Sequence, residues 1–312
     1  MPGSGARAKC CTYDFDAAEL SQLCSVMDAS VDVNAATTAE YHRGAPAFRS
    51  SGIAESRCHS VVTLAQHLTW LKTKKLDAIP ELKDTQDAGM TVFLESHGKD
   101  WIFLADTIAQ QVAAAGFTAV WNADSAQRGQ RALLQTFDHR VAARWESTQP
   151  LSTEYMYSEQ MPPDEDCTDT AEYECRNVQH LVGLGVDVIS PPIHSLVAAS
   201  PSGDRSIVPS EGALALQAMG VAIGSWSAER QGCVDDSAPL AVQPAAAGPC
   251  GAAGTGGYYA PLEGEATFQH MDVLRVLDTL FRPASQGGVG IVALFADFPA
   301  TVAAFVNCVA EQ

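Results

Sequence analysis

The sequence predicts an α/β fold in which parallel strands and helices alternate around a (β/α)8 barrel of the TIM type. Three observations carry this. From about residue 62 onward helix-like and strand-like segments alternate, their ends carry capping signals, and six strand candidates recur at the spacing of repeated strand–helix units. Such alternation implies a parallel sheet, and a closed barrel accommodates six or more of these units better than an open sheet of the same length.

The elements can be justified in order. In "VVTLAQHLTWLKTKK", Leu64, Leu68 and Leu71 fall at i, i+4 and i+7, on one helical face. The first strand is "LDAIPELK", residues 76–83. In "KDWIFLADTIAQQVAAAGF" the apolar stripe is Leu104, Ile108 and Val112, and Gly116 ends the helix as a C′ residue. Further strands are expected at 131–137 ("RALLQTF"), 152–158 ("STEYMYS"), 185–190 ("GVDVIS"), 220–227 ("GVAIGSWS") and 288–297 ("GVGIVALFAD"). Helices are expected at 138–146, 171–184, 210–219 and 270–281, with a last one after Pro299. Ser210, behind Pro209, is an N-cap residue, and Gly220 closes that helix.

These candidates make six strands where a closed barrel has eight, so two units are unaccounted for. The first sixty residues do not supply them. They are polar and rich in small residues, with one short helical stretch around "AAELSQL" and no β-rich run. Residues 1–60 therefore read as an irregular, cysteine-containing insertion belonging to the barrel domain, and residues 61–312 as the barrel domain itself. A second irregular stretch, 231–261, is rich in Gly, Ala and Pro and joins the last two strands.

With 37 acidic and 19 basic residues, the chain has a formal charge of −18, which repels nucleic acid unless a basic patch or a bound cation intervenes. The longest basic run is "KTKK" at 72–75, the solvated end of an amphipathic helix, so nucleic acid is not an expected partner. No run of eighteen apolar residues exists, and no integral membrane segment is expected. If the substrate is anionic, a divalent metal is the expected mediator.

None of the nine cysteines sits in a CxxC pair, which argues against a zinc ribbon or a thioredoxin-type site. The pairs Cys167 with Cys175 and Cys233 with Cys250 each flank a polar loop and read as disulfides of an exported protein. The odd count leaves one thiol over. The start, "MPGSGARAKCC", has no apolar signal-peptide core, so the chain is either intracellular with free thiols or the beginning of its precursor is absent.

Several residues could carry chemistry. Glu81 and Lys83 lie two apart at the C-terminal end of a strand and project to the same side. In a (β/α) barrel that end is the catalytic face, where a carboxylate beside an ammonium suits a metal and a phosphate oxygen. Spacing alone leaves a surface salt pair as the alternative. Asp297 ends the last strand, Trp226 and Glu229 flank the end of the one before, and Gln135 is a polar residue near the mouth in "LLQTFD". The glycine-rich "GAAGTGGYY" at 251–259 lacks the Lys-Ser/Thr ending of a phosphate loop and reads better as a loop carrying Tyr258 and Tyr259 over the barrel mouth. The eight histidines show no metal-ligand spacing, and His67, His180 and His270 fall inside helices as structural or exposed residues.

The segments "PELK", "QTF", "ISPP", "SWSAER", "GGYY" and "FADFPATVAAFVNC", together with "CCTYDF", "LCSVMDAS" and "ATTAEY", occur in an order that resembles the glycerophosphodiester phosphodiesterase family, in particular its long secreted form. The resemblance covers residues 10–309, nearly the whole chain. It implies a (β/α) barrel enzyme of lipid and glycerol metabolism that hydrolyses a small-molecule glycerophosphodiester to an alcohol and glycerol 3-phosphate. The family uses a divalent cation, Ca²⁺ or Mg²⁺, held by three carboxylates, with two histidines as general acid and base. By this resemblance Glu81 is a metal-binding residue, Lys83 contacts the phosphate, Trp226 walls the substrate pocket, and Asp297 is structural or at the pocket edge. A secreted or extracytoplasmic location follows from the same resemblance and from the cysteines.

The stretch "EYHRGAPAFRS", residues 40–50, contains the His-Arg-Gly of the family's first catalytic histidine. In the family that histidine follows an apolar strand, whereas His42 follows "NAATTAEY" and aligns with an insertion loop. His42 is therefore a look-alike, and no catalytic residue is assigned. The resemblance places both histidines and two of the metal carboxylates on two strands ahead of the first strand found here. Little or no turnover is expected of the chain as written. The alternatives are a non-catalytic barrel that binds a phosphorylated or polyol ligand, and replacement catalytic groups drawn from His42 or His59 with Asp14 or Glu55.

Overall fold

The computed structural model describes residues 12–23, 60–83, 85, 87–120, 129–157, 177–226, 228, 262, 272–296 and 299–310. The chain divides into two compact units, residues 1–67 with 233–243 and residues 68–232 with 244–312.

In the first unit a 3-10 turn, Thr12–Asp14, leads into the short helix α1, Ala17–Leu20. Asp16 and Glu19 form a capping box: the Asp16 carboxylate accepts from the Glu19 amide at 2.8 Å, and the Asp16 amide donates to the Glu19 carboxylate at 2.9 Å. Asp14, one of the alternative catalytic groups, belongs to this turn. Thr63 and Gln66 repeat the exchange at the start of helix α2, Leu64–Lys74.

The second unit is a mixed α/β structure around a curled parallel sheet that forms a half-barrel. Its strands are β1 (Glu81–Leu82), β2 (Thr118–Ala119), β3 (Arg131–Thr136), β4 (Ser152–Met156), β5 (Val188–Ser190), β8 (Ala222–Ser225) and β9 (Ala293–Leu294). They run in the order β1-β3-β4-β5-β8-β9, with β2 pairing to the start of β3. All six strand regions expected from the sequence occupy this path, and every pair along it is parallel.

Between them lie helices α3 (Ala88–Ser96), α4 (Trp101–Ala114), α5 (His139–Thr148), α6 (Val178–Gly183) and α7 (Ile193–Leu196). Helices α8 (Glu211–Met219), α9 (Asp272–Phe281) and α10 (Pro299–Ala310) complete the set, and an antiparallel hairpin, β6 (Val197–Ala199) with β7 (Ile207–Pro209), follows α7. The outer face of the sheet carries the core: Tyr155, Ile189 and Ile223 pack with Leu181, Leu216, Val276 and Leu280. Ser210 caps α8 through a 3.1 Å bond from the Ala213 amide, and Gly220 ends it at φ +70°.

The elements differ from expectation in places with physical causes. The first strand is only two residues long: Ala78 makes a single bridge to Ala132, and Pro80 contributes a carbonyl but has no N–H to continue the ladder. The last strand is equally short, although the Val292 and Phe295 amides on either side of it also donate to β8, to the Ile223 and Ser225 carbonyls. In α4 the fully buried stripe is Ala105, Ala109 and Val112, while Leu104 and Ile108 stand half-exposed beside it. The small alanines are the residues that let α5 approach, and Trp145 of α5 donates its indole N–H to the Ala105 carbonyl at 2.9 Å. The helix α3 and the β6–β7 hairpin have no counterpart in the sequence reading.

Candidate functional site

Parallel register builds the site. Glu81 pairs with Gln135, and Gln135 pairs with Glu154, so three polar residues form one row across three neighbouring strands. Paired residues of a parallel ladder point to the same face, here the inner face of the half-barrel. Gln135 and Glu154 are at most 1% exposed.

Glu154 is the centre of this row. Its Oε2 accepts from Gln135 Nε2 at 3.2 Å, and its Oε1 accepts from the Ser190 hydroxyl on β5. Gln135 Nε2 also donates to Met156 Sδ at 2.8 Å, so both amide hydrogens are committed. No partner engages Gln135 Oε1 among the described residues. With the Glu154 carboxyl ionised, turning the amide over would set two acceptors against each other, which favours the orientation with Oε1 on the open side. On β8, Gly224 leaves the space that Glu154 fills: a Cβ there would collide with Ser190 Oγ and stand 2.9 Å from Glu154 Oε1. Burial pushes the Glu154 carboxyl up to about 7; the bonds from Ser190 and Gln135 oppose this, and the Glu81 carboxylate adds to it.

Two residues beyond Glu81, Lys83 reaches back to it, with Nζ 3.3 Å from Glu81 Oε2. The Lys83 side chain is 67% exposed, so this pair is held loosely and its ammonium can turn to an incoming anion. Trp226, two residues beyond Gly224, donates its indole N–H to the carbonyls of Tyr157 (3.1 Å) and Ser190 (3.0 Å). It meets Phe137 edge-on with 5.7 Å between ring centroids, and this pair lies beyond the row at the C-terminal strand ends.

A clamp holds β1 and β3 together at that end. Thr85, in the loop after β1, donates to Asp138 Oδ2 at 2.5 Å, and Arg140 binds both carboxylate oxygens at 3.0 and 2.6 Å. Burial alone would raise the Asp138 pKa, but the bonds from Arg140 and Thr85 outweigh it and hold the carboxyl below its usual range. Asp138 also caps α5 through the Arg140 amide.

Of the residues singled out in the sequence, Glu81, Lys83 and Gln135 are brought together, and Trp226 stands at the same end of the sheet. His42, His59, Glu55, Glu229, Tyr258, Tyr259, His270 and Asp297 lie outside the described residues, as do all the cysteines except Cys308, an exposed free thiol. The described histidines are not in the row: His139 and His180 face each other edge-on at 6.4 Å between centroids, His67 and His97 are exposed, and His194 belongs to α7. Glu154, Ser190 and Gly224 escaped the sequence reading. Their signal was a lone carboxylate in the middle of the otherwise uncharged strand "LSTEYMY".

The donor chemistry of the row is that of a hard divalent cation such as Ca²⁺ or Mg²⁺, since Glu81 and Gln135 carry oxygen atoms of the kind that could hold one, on adjacent strands. They are only part of a coordination set: among the described residues no group of three or more His, Cys, Asp or Glu side chains could hold a metal. No helix among those residues is long and apolar enough to cross a membrane.

No family model matches the chain. Among curated proteins it is similar to one from Arthroderma benhamiae described as "Extracellular protein", 26% identical over 275 residues, a stretch that takes in 88% of this chain and 96% of that protein.

Proposed function

We propose that this chain is a (β/α) barrel of the glycerophosphodiester phosphodiesterase type, a family that takes a glycerophosphodiester to an alcohol and glycerol 3-phosphate, and that turnover by the chain as written is low. The observation that carries the reading is the placement of Glu81 in register with Gln135 on the inner face, with Lys83 3.3 Å from Glu81. Lys83 supplies positive charge to a phosphate oxygen in a protein whose formal charge of −18 would otherwise repel it. Glu81 helps to hold the cation, which when bound neutralises phosphodiester charge. Trp226 and Phe137 wall the strand ends. Closure into eight strands belongs to this reading, with one further strand beside β1 and one beside β9. The description of the Arthroderma protein supports an extracellular location.

A second reading is binding without turnover. It is favoured by the row itself, which contains two carboxyl groups, an amide and a neighbouring lysine but no histidine to move protons. One experiment separates the two: the purified chain is given glycerophosphocholine and Ca²⁺, and choline release and binding are both measured. Turnover abolished by Glu81→Gln supports the hydrolase; binding weakened by Lys83→Met without choline release supports the binding barrel. Absence of both overturns both.

A further inference from the structure

Gln135 is a buried amide with both hydrogens committed to the protein and its oxygen left over. The inner face around it is short of donors. Apart from the exposed Lys83 ammonium, which pairs with Glu81, its described donors are the Gln135 amide and the Ser190 hydroxyl, and both are spent on Glu154 and Met156. Gln135 Oε1, by contrast, accepts from no described residue, and Glu81 stands in register beside it. A hydroxyl group would satisfy one acceptor and bring another of its own, whereas a cation satisfies acceptors only.

We propose that Gln135 Oε1 is a second protein ligand of a divalent cation held by Glu81, and that Glu154 is the positioning residue that turns this oxygen toward it. The inference rests on the reading of Glu81 as a cation ligand. Reach is consistent with it. Neighbouring strands lie about 4.8 Å apart, and oxygens on two such residues of one face can both approach an ion at roughly 2.3–2.6 Å. Glu154 acts at one remove. As a carboxylate it accepts from Nε2 and so disfavours the flip that would point the NH₂ group, a donor, at the ion. Gly224 completes the arrangement by leaving room for the Glu154 carboxyl where any side chain would displace it.

The test is calorimetric titration of the full 312-residue chain with CaCl₂ and with MgCl₂, with folding of each variant followed by circular dichroism. Gln135→Met, which removes the oxygen at similar size, is expected to weaken binding about 10-fold or more. Gln135→Glu keeps an oxygen ligand and adds charge, so it is expected to bind at least as tightly as the parent. Glu154→Met, acting through Gln135, is expected to weaken binding about 10-fold, and the conservative Glu154→Gln, which can still accept from Gln135, to stay within about 2-fold. A purely structural role for Glu154 would leave the affinity of the folded Met variant unchanged. If Glu81→Gln abolishes binding while Gln135→Met does not change it, the inference about Gln135 falls and the Glu81 reading stands. If Gln135→Met does not fold, weaker binding by Gln135→Glu overturns the inference instead. No binding by the parent chain, or binding that survives Glu81→Gln, overturns both.

Discussion

Gly224 and Glu154 sit two strands apart and yet occupy one space: a Cβ on Gly224 would stand 2.9 Å from Glu154 Oε1. A buried carboxyl thus crosses over β5 into room that only a glycine leaves. Gly224→Ala is expected to destabilise the protein by about 2 kcal/mol, since overfilled cores cannot relax without moving backbone or side chains. The midpoint of urea unfolding reads this directly. A variant as stable as the parent would mean that Glu154 and Ser190 do not hold these positions.

Glu154 gives stability a pH dependence opposite to that of most carboxylates. Burial raises its pKa from 4.5 to about 7, so the folded protein binds this proton more tightly than the unfolded chain does. The contribution is complete below about pH 4.5 and is lost as pH rises to about 7, roughly 3 kcal/mol over that window. Denaturant melts at intervals from pH 4.5 to 7.5 should show the decline, and Glu154→Gln should flatten it.

Asp138 behaves in the opposite sense. Its pKa is held below the unfolded value of 3.8, so its contribution is present above that value and lost as pH falls below it. Asp138→Ala leaves Arg140 and Thr85 without their acceptor and is expected to cost about 3 kcal/mol. Thr85→Val should cost about 1 kcal/mol. Because the clamp ties the β1 end to the β3 end, Asp138→Ala should also increase proteolysis in the loop after Lys83, measurable by limited digestion.

Trp226→Phe removes the indole N–H that joins the carbonyls of Tyr157 and Ser190 while keeping an aromatic face toward Phe137. The expected loss is about 1 kcal/mol, from two weakened bonds at the strand ends. Trp226→Ala also removes the ring and should cost about 3 kcal/mol or more. Thermal melts distinguish the two.

The parallel path was legible because each strand–helix unit carried its own signal. Ser210 and Gly220 marked α8, and "RALLQTF" stood out as the strand candidate that became β3. What local pattern cannot carry is register. Glu154 meets Gln135 level with it, and Gly224 two residues further along, only because separate segments align in one register, and nothing in "STEYMYS" alone specifies that register. Helix α3 was hidden for a different reason. Only Leu94 of its nine residues is fully buried, with Val92 66% exposed, so no core-facing stripe announces it.

From β3 onward the strand order follows the order of synthesis, apart from the hairpin set aside between β5 and β8. From β3 to β5 each new strand of the path then closes only the loop of a single strand–helix unit, so the sheet can assemble like a zip from its β3–β4 pairing outward. The long pairing of β3 with β4 is the natural starting point, and the two-residue strands β1 and β9 are the last to join and the first to leave. Amide protons of Leu134 and Tyr155 should therefore outlast those near β1 and β9 in hydrogen exchange. Glu81, at one of those fraying ends, is an outer tooth of the zip, while its neighbour Gln135 stands at the centre.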